Sequence, residues 1–128
     1  MAQMSDYLEN KLIDHVFRNI TYSQAGTVYL ALYSDDPTDA DVGTELVGAG
    51  YARMPVTFVA PIDGGTKNDA DIVSPVATAD WVTITHIGIR DLASGGNLLM
   101  HKNLATPITI SNGNNFRIPQ DQLTLTFA

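Results

Sequence analysis

The chain has 128 residues, with 14 acidic and 7 basic side chains, a net charge of -7 with neutral histidines, and no cysteine. This length suits one domain with its own core, and 45% apolar against 16% charged residues excludes a disordered chain. The bases are scattered singly, against broad phosphate binding, and disulfides, thiolate zinc sites and cysteine nucleophiles are removed at once.

The first residues, Met1 to Asp6, show no basic stretch leading into an apolar one, so no signal peptide is expected. Ser5 to Asn19 is the predicted helix. Ser5 or Asp6 can cap it, Glu9 follows Asp6 at capping-box spacing, and Asn19 suits a left-handed end. Leu8, Leu12, Ile13, Val16, Phe17 and Ile20 form one apolar stripe, which should pack on the rest of the fold.

Beyond residue 26 the pattern switches to strands and turns. Thr27–Tyr33 alternates Val28, Leu30 and Leu32 with Tyr29, Ala31 and Tyr33. A polar loop, 35–50, follows. Tyr51–Ala60 alternates again, and Pro55 sends that strand to a sheet edge or a bulge. Residues 61–65 read as a turn and Ala70–Val76 as a short strand.

Trp81–Arg90 is the most apolar strand, and its parity changes between Ile84 and Ile87, which predicts a bulge near Thr85-His86. Asn97–Lys102 should return as a hairpin. Pro107–Ser111, Phe116–Ile118 and Leu123–Phe127 complete the strands. The expected fold is mainly β: a single-domain antiparallel β-sandwich or jelly roll over residues 27–128, with one N-terminal helix over 5–19.

Candidate chemistry is thin. Asp35, Asp36, Asp39, Asp41 and Glu45 place five carboxylates in one loop without a base among them. They are candidates for an ion or interface contact, although the spacing fails the EF-hand pattern and a solvated acidic turn is the plainer reading. Asp69 and Asp71 repeat the Asp-x-Asp spacing with the same standing. His86 and His101 are placed to approach each other across the hairpin, as a packed pair or as zinc ligands. His15 should face solvent. Asp80, beside Trp81, reads as a turn cap. No nucleophile elbow or phosphate-cradling loop is present, and the tyrosines offer only a loose case for a sugar platform. No enzyme, metal or cofactor is expected, nor any membrane or nucleic-acid partner.

Several blocks in order resemble a known family. They are Ser5 to Asn19, Thr27 to Tyr33 with Asp36-Pro37-Thr38, Gly50-Tyr51-Ala52-Arg53 with Val56-Thr57-Phe58, Ala79-Asp80-Trp81 with Thr85 to Asp91, and Gly95 to Leu99. The chain resembles small tailed-phage virion proteins, Gp80-like capsid decoration or cement proteins often labelled phage tail fibre proteins. Arg90 departs from the apolar or aromatic residue the resemblance leads one to expect.

The resemblance implies a trimer on threefold or quasi-threefold positions of the outer capsid surface, touching the major capsid protein and stabilising the shell. The protein would be made in the host bacterial cytoplasm. The alternative is a tail fibre or tail-tip structural or receptor-binding module.

Overall fold

Ser5 sets where the helix begins. The computed structural model describes residues 2–127. In it α1 spans Asp6–Phe17, and the Ser5 hydroxyl accepts the Leu8 N–H at 3.2 Å. The cap is therefore Ser5 rather than an Asp6–Glu9 box. Both acids sit in the first turn, where the helix dipole favours them. At the other end the Arg18 and Ile20 N–H groups donate to the Asp14 carbonyl, and Asn19 adopts the expected left-handed φ of 57°.

The strands are β1 (Gln3–Met4), β2 (Val28–Tyr33), β3 (Met54–Val56), β4 (Gly65–Lys67), β5 (Ile72–Val73), β6 (Ile84–Arg90), β7 (Leu98–Ile108), β8 (Arg117–Ile118) and β9 (Thr124–Thr126). Five form an antiparallel sheet in the order β1-β7-β6-β2-β3, and the remaining four pair as two antiparallel ribbons, β4 with β9 and β5 with β8. The fold is mainly β, antiparallel, with one helix near the N-terminus, as the sequence pattern predicts. The layer opposite the sheet is two ribbons rather than a second full sheet.

Register divides the sheet into two faces. Leu30 pairs with Ile89 and Met54, and Ile89 with Met100, while Leu32 pairs with Ile87. These apolar residues join Ile72, Phe116, Leu123 and Leu125 from the ribbons and their flanks in one buried cluster. Asn68 is fully buried among the ribbon connections. Its side-chain oxygen accepts the Leu123 N–H at 2.8 Å, and its amide donates to Ala70 and Pro119 carbonyls at 2.8 and 3.0 Å. A buried amide needs such partners, and this one ties the 68–70 segment to the 119–123 turn.

Two irregularities shape β7. Ile89 pairs with Met100 but Arg90 with Leu98, so Leu99 is an extra residue that turns Leu98 to the second face of the sheet. Ser5 occupies the same place: its N–H donates to the Leu99 carbonyl at 2.9 Å and its hydroxyl to the Leu98 carbonyl. The second irregularity falls where the parity change put it, between Ile84 and His86, but the extra residues belong to β7. Two steps of β6 there face five of β7, from Asn103 to Ile108.

Several strand bounds differ from the sequence reading. The Tyr51–Ala60 strand shortens to β3, which lies at the sheet edge as Pro55 requires. The Trp81–Arg90 strand starts only at Ile84, and β7 runs on through the start of the expected Pro107–Ser111 strand. The reading missed β1 and β4, both too short to carry an alternation.

The larger correction concerns the helix. Leu8 is buried and Tyr7 and Leu12 pack against the core, but Ile13, Val16, Phe17 and Ile20 are 51%, 64%, 80% and 43% exposed. The apolar stripe is real, yet only its N-terminal half finds the sheet, because α1 packs on β7 near the Ser5 junction and then runs clear of it.

Candidate functional site

The second face of the sheet carries Tyr29, Ala31 and Tyr33 from β2, His86, Gly88 and Arg90 from β6, and Leu98, His101 and Asn103 from β7. The loop after β2 crosses back over it. Pro37 is fully buried, and Gly43 lies so close that a Cβ there would sit 2.6 Å from the Pro37 Cα, so only glycine lets the loop close. Gly88 has the same role inside the sheet, because a Cβ there would meet Leu98 and the Tyr33 ring at 2.7 and 2.9 Å.

Arg90 is the centre of this face. Only 8% exposed, it makes a two-pronged contact with Asp41 at 2.7 and 2.9 Å and donates to the Tyr33 hydroxyl at 2.9 Å and the Gly96 carbonyl at 2.8 Å. Burial works against its charge, but the bonds with Asp41 and Tyr33 outweigh that and hold the guanidinium above its ordinary pKa. Burial also pushes the Tyr33 phenol up. Arg90 is thus a strut joining β6, the loop and the following turn. The ion pair joins a buried base, Arg90, to a part-exposed carboxylate, Asp41.

His101, 5% exposed, stands beside it. Its Nε2 lies 2.7 Å from Asp39 Oδ1, while its Nδ1 is 3.9 Å from Asp36 Oδ1. His86 Nε2 is 4.0 Å from the same Asp36 oxygen, so the two histidines do share a face, with Asp36 between them. Asp36 also caps the loop by accepting the Thr38 N–H at 2.9 Å. Among the described residues no group of three or more His, Cys, Asp or Glu side chains is arranged to hold a metal ion.

Asp35 and Glu45 tie down the rest of the loop. Asp35 accepts the Thr44 N–H at 2.6 Å and its hydroxyl at 3.0 Å. Glu45 binds Arg53 through both oxygens, at 2.7 and 2.8 Å, and accepts the Tyr51 hydroxyl at 2.6 Å. Burial would raise the Glu45 carboxyl, but the hydrogen bonds from Arg53 and Tyr51 prevail and hold it below its usual value. Arg53 reaches on to the Leu92 and Gly95 carbonyls at 2.8 and 2.7 Å. Burial, then the bond to Glu45, push the Tyr51 phenol well above its ordinary pKa. Its ring meets Trp81 edge-on, with centroids 5.8 Å apart.

All five loop carboxylates therefore accept from this chain's own donors. Asp69 accepts from the Thr57 hydroxyl, and Asp71 pairs with Arg117 at 2.5 Å. Asp80 caps a turn at the Asn112 N–H, 2.8 Å away. The tyrosines form no single platform: Tyr33 lies under Arg90, Tyr51 against Trp81, and Tyr7 beneath Lys11. The sequence reading missed the partners, Arg90 and Arg53. The available signal was an arginine ending the most apolar strand, because a base there needs a counter-charge from elsewhere.

What the fold and this face define is a small β scaffold whose polar side chains hold its own loops in place. The family model described as podophage GP4 fiber I protein gp80 matches residues 3–126, and the chain belongs to that family. It is accordingly a structural protein of a phage particle. No curated protein matches the chain.

Proposed function

We propose that this chain is a non-enzymatic building block of a tailed-phage particle, present in several copies and placed in the fibre apparatus of the tail. The observation that carries this reading is the match over residues 3–126 to a family described by a podophage fiber protein. The polar face supports it, since Arg90, Arg53 and the loop carboxylates stabilise the scaffold instead of facing a substrate. Contacts repeated over many copies multiply modest affinities through effective concentration.

A second reading is favoured by the sequence itself, which carries no internal repeat of the kind a fibre shaft is built from. It puts the protein on the outer capsid surface as a trimer at threefold positions, bound to the major capsid protein and stabilising the shell by mass action. Heads separated from tails and quantified by mass spectrometry decide between the two. The tail reading expects the protein to follow the tail fraction at a few to a few dozen copies. Retention on tail-less heads at hundreds of copies overturns it in favour of the shell.

A further inference from the structure

The strand edges of this fold are guarded, with one exception. An open edge offers unpaired N–H and C=O groups to any strand that reaches it, and short length, proline, charge or a bulge blunts it. β1, β5 and β8 are two residues long, β3 carries Pro55 at its edge, and β7 beyond β1 carries its bulge and Pro107. The outer edge of β4 is taken up by its own chain. There Gly65 and Ile62 exchange N–H···O bonds at 2.9 Å, and the Val59 N–H donates to the Lys67 carbonyl at 3.0 Å.

The exception is β9. Thr126 stands opposite Gly65, Leu125 opposite Thr66 and Thr124 opposite Lys67. Just beyond these pairs the Phe127 N–H donates to the Gly64 carbonyl at 2.8 Å and the Asn68 N–H to the Leu123 carbonyl at 3.1 Å. Bonded and non-bonded pairs alternate along an antiparallel ladder. Leu123, Leu125 and Phe127 therefore turn their backbone groups to β4, while Thr124 and Thr126 turn theirs away from it. Among the described residues those outward groups have no hydrogen-bond partner, and β9 pairs with no strand but β4. Both threonines are exposed.

We propose that β9 pairs antiparallel with β9 of a second copy of this chain, about a twofold axis at Leu125. The two β4–β9 ribbons then become one four-stranded sheet, a sounder unit than a two-stranded ribbon. The edge is complementary to itself. Thr124 and the partner's Thr126 exchange both N–H···O bonds, as do Thr126 and the partner's Thr124, so every outward group is satisfied. Threonine faces threonine on one side of the sheet, a favourable cross-strand pair. On the other side Leu125 meets its own copy, and Phe127, 47% exposed, meets the partner's Leu123. Residues 122–127 carry no charge in a chain of net charge -7, and flanking Asp121 is paired with Lys67 at 3.4 Å. Two like-charged copies thus approach here without opposing charges across the seam. Main-chain bonds supply the affinity in strand addition, so the contact does not rest on a large apolar area.

Sedimentation velocity over about 10–500 μM, a range that brackets a weak dimer, tests this together with amide hydrogen exchange on the full chain. The unaltered chain should associate as concentration rises. The Thr124 and Thr126 amides should then exchange at least about 10-fold more slowly, while the Leu125 amide, already bonded to β4, changes less. Thr126→Pro removes an outward N–H and no bond to β4, so it should fold and weaken association by about 10-fold or more, two of the four bonds being lost. Thr126→Val keeps the N–H and should associate like the unaltered chain. A second pair of variants covers a proline chain that fails to fold. Thr124→Lys with Thr126→Lys sets like charges opposite each other and should stay monomeric, and mixing it with Thr124→Glu, Thr126→Glu should restore a 1:1 dimer. A chain that is monomeric at the highest concentration overturns the proposal. So does association that leaves the Thr124 and Thr126 amides as open as before, and so does a lysine–glutamate mixture that stays monomeric.

Discussion

The two faces of the five-stranded sheet are built from the same strands by opposite means. One face, with Leu30, Leu32, Ile87, Ile89 and Met100, is closed by ribbon side chains that match it in shape. The other is closed by a loop whose carboxylates meet Arg90 and His101. Apolar contact is tolerant of detail and strong per area removed from water. Pairing a buried base with a part-exposed carboxylate contributes less net energy but holds a chosen partner in a chosen register. The apolar face therefore sets whether the chain folds, and the polar face sets where the loop after β2 comes to rest.

The comparison can be broken from the apolar side first. Leu30→Ala removes a fully buried side chain at the centre of the sheet and should cost about 3 kcal/mol, read as a lower urea midpoint at unchanged slope. On the polar side, Arg90→Met strands Asp41, which is partly solvated, and should cost about 2 kcal/mol. Adding Asp41→Leu should recover most of that loss, a coupling that chemical denaturation of the four-member cycle measures. If the double variant is as unstable as Arg90→Met alone, the pair does not act as a unit.

Ser5→Ala tests the junction of the helix with both faces. It removes the N-cap and a buried bond to the Leu98 carbonyl, and should cost about 1–2 kcal/mol with a matching loss of helical circular dichroism. The smallest effect concerns Glu45. Its pKa is lowered in the folded chain, so its contribution is full above the unfolded value of about 4.3 and is lost as pH falls through the folded value. Glu45→Gln should lower the melting temperature at pH 7, and the gap from the unaltered chain should close toward pH 3. A gap independent of pH would assign the effect to packing instead.

Local patterns made most of the fold legible. Ser5 before an apolar stripe marked the helix start, Pro55 marked an edge, and the change of parity between Ile84 and Ile87 located an irregularity. The pattern did not show that the helix stripe would be half uncovered, because periodicity defines a face without naming what covers it. The candidate loop was legible as acidic but not as paired. Asp41 and Arg90 are 49 residues apart, and Asp39 and His101 are 62 apart. No short-range rule links positions so distant; the sheet's register brings them together.

The Ser5 junction has a mechanical consequence. Bonds from Ser5 reach the Leu98 and Leu99 carbonyls, and the Asp6 N–H reaches the Asp39 carbonyl at 2.9 Å. A tug on α1 is therefore shared at one point by the long hairpin strand and the loop over the sheet, so these bonds resist together instead of opening one after another. Resistance to pulling is a matter of unfolding rate rather than equilibrium stability. A protein of modest stability can in this way stay intact through the brief jolts of a virion striking a cell.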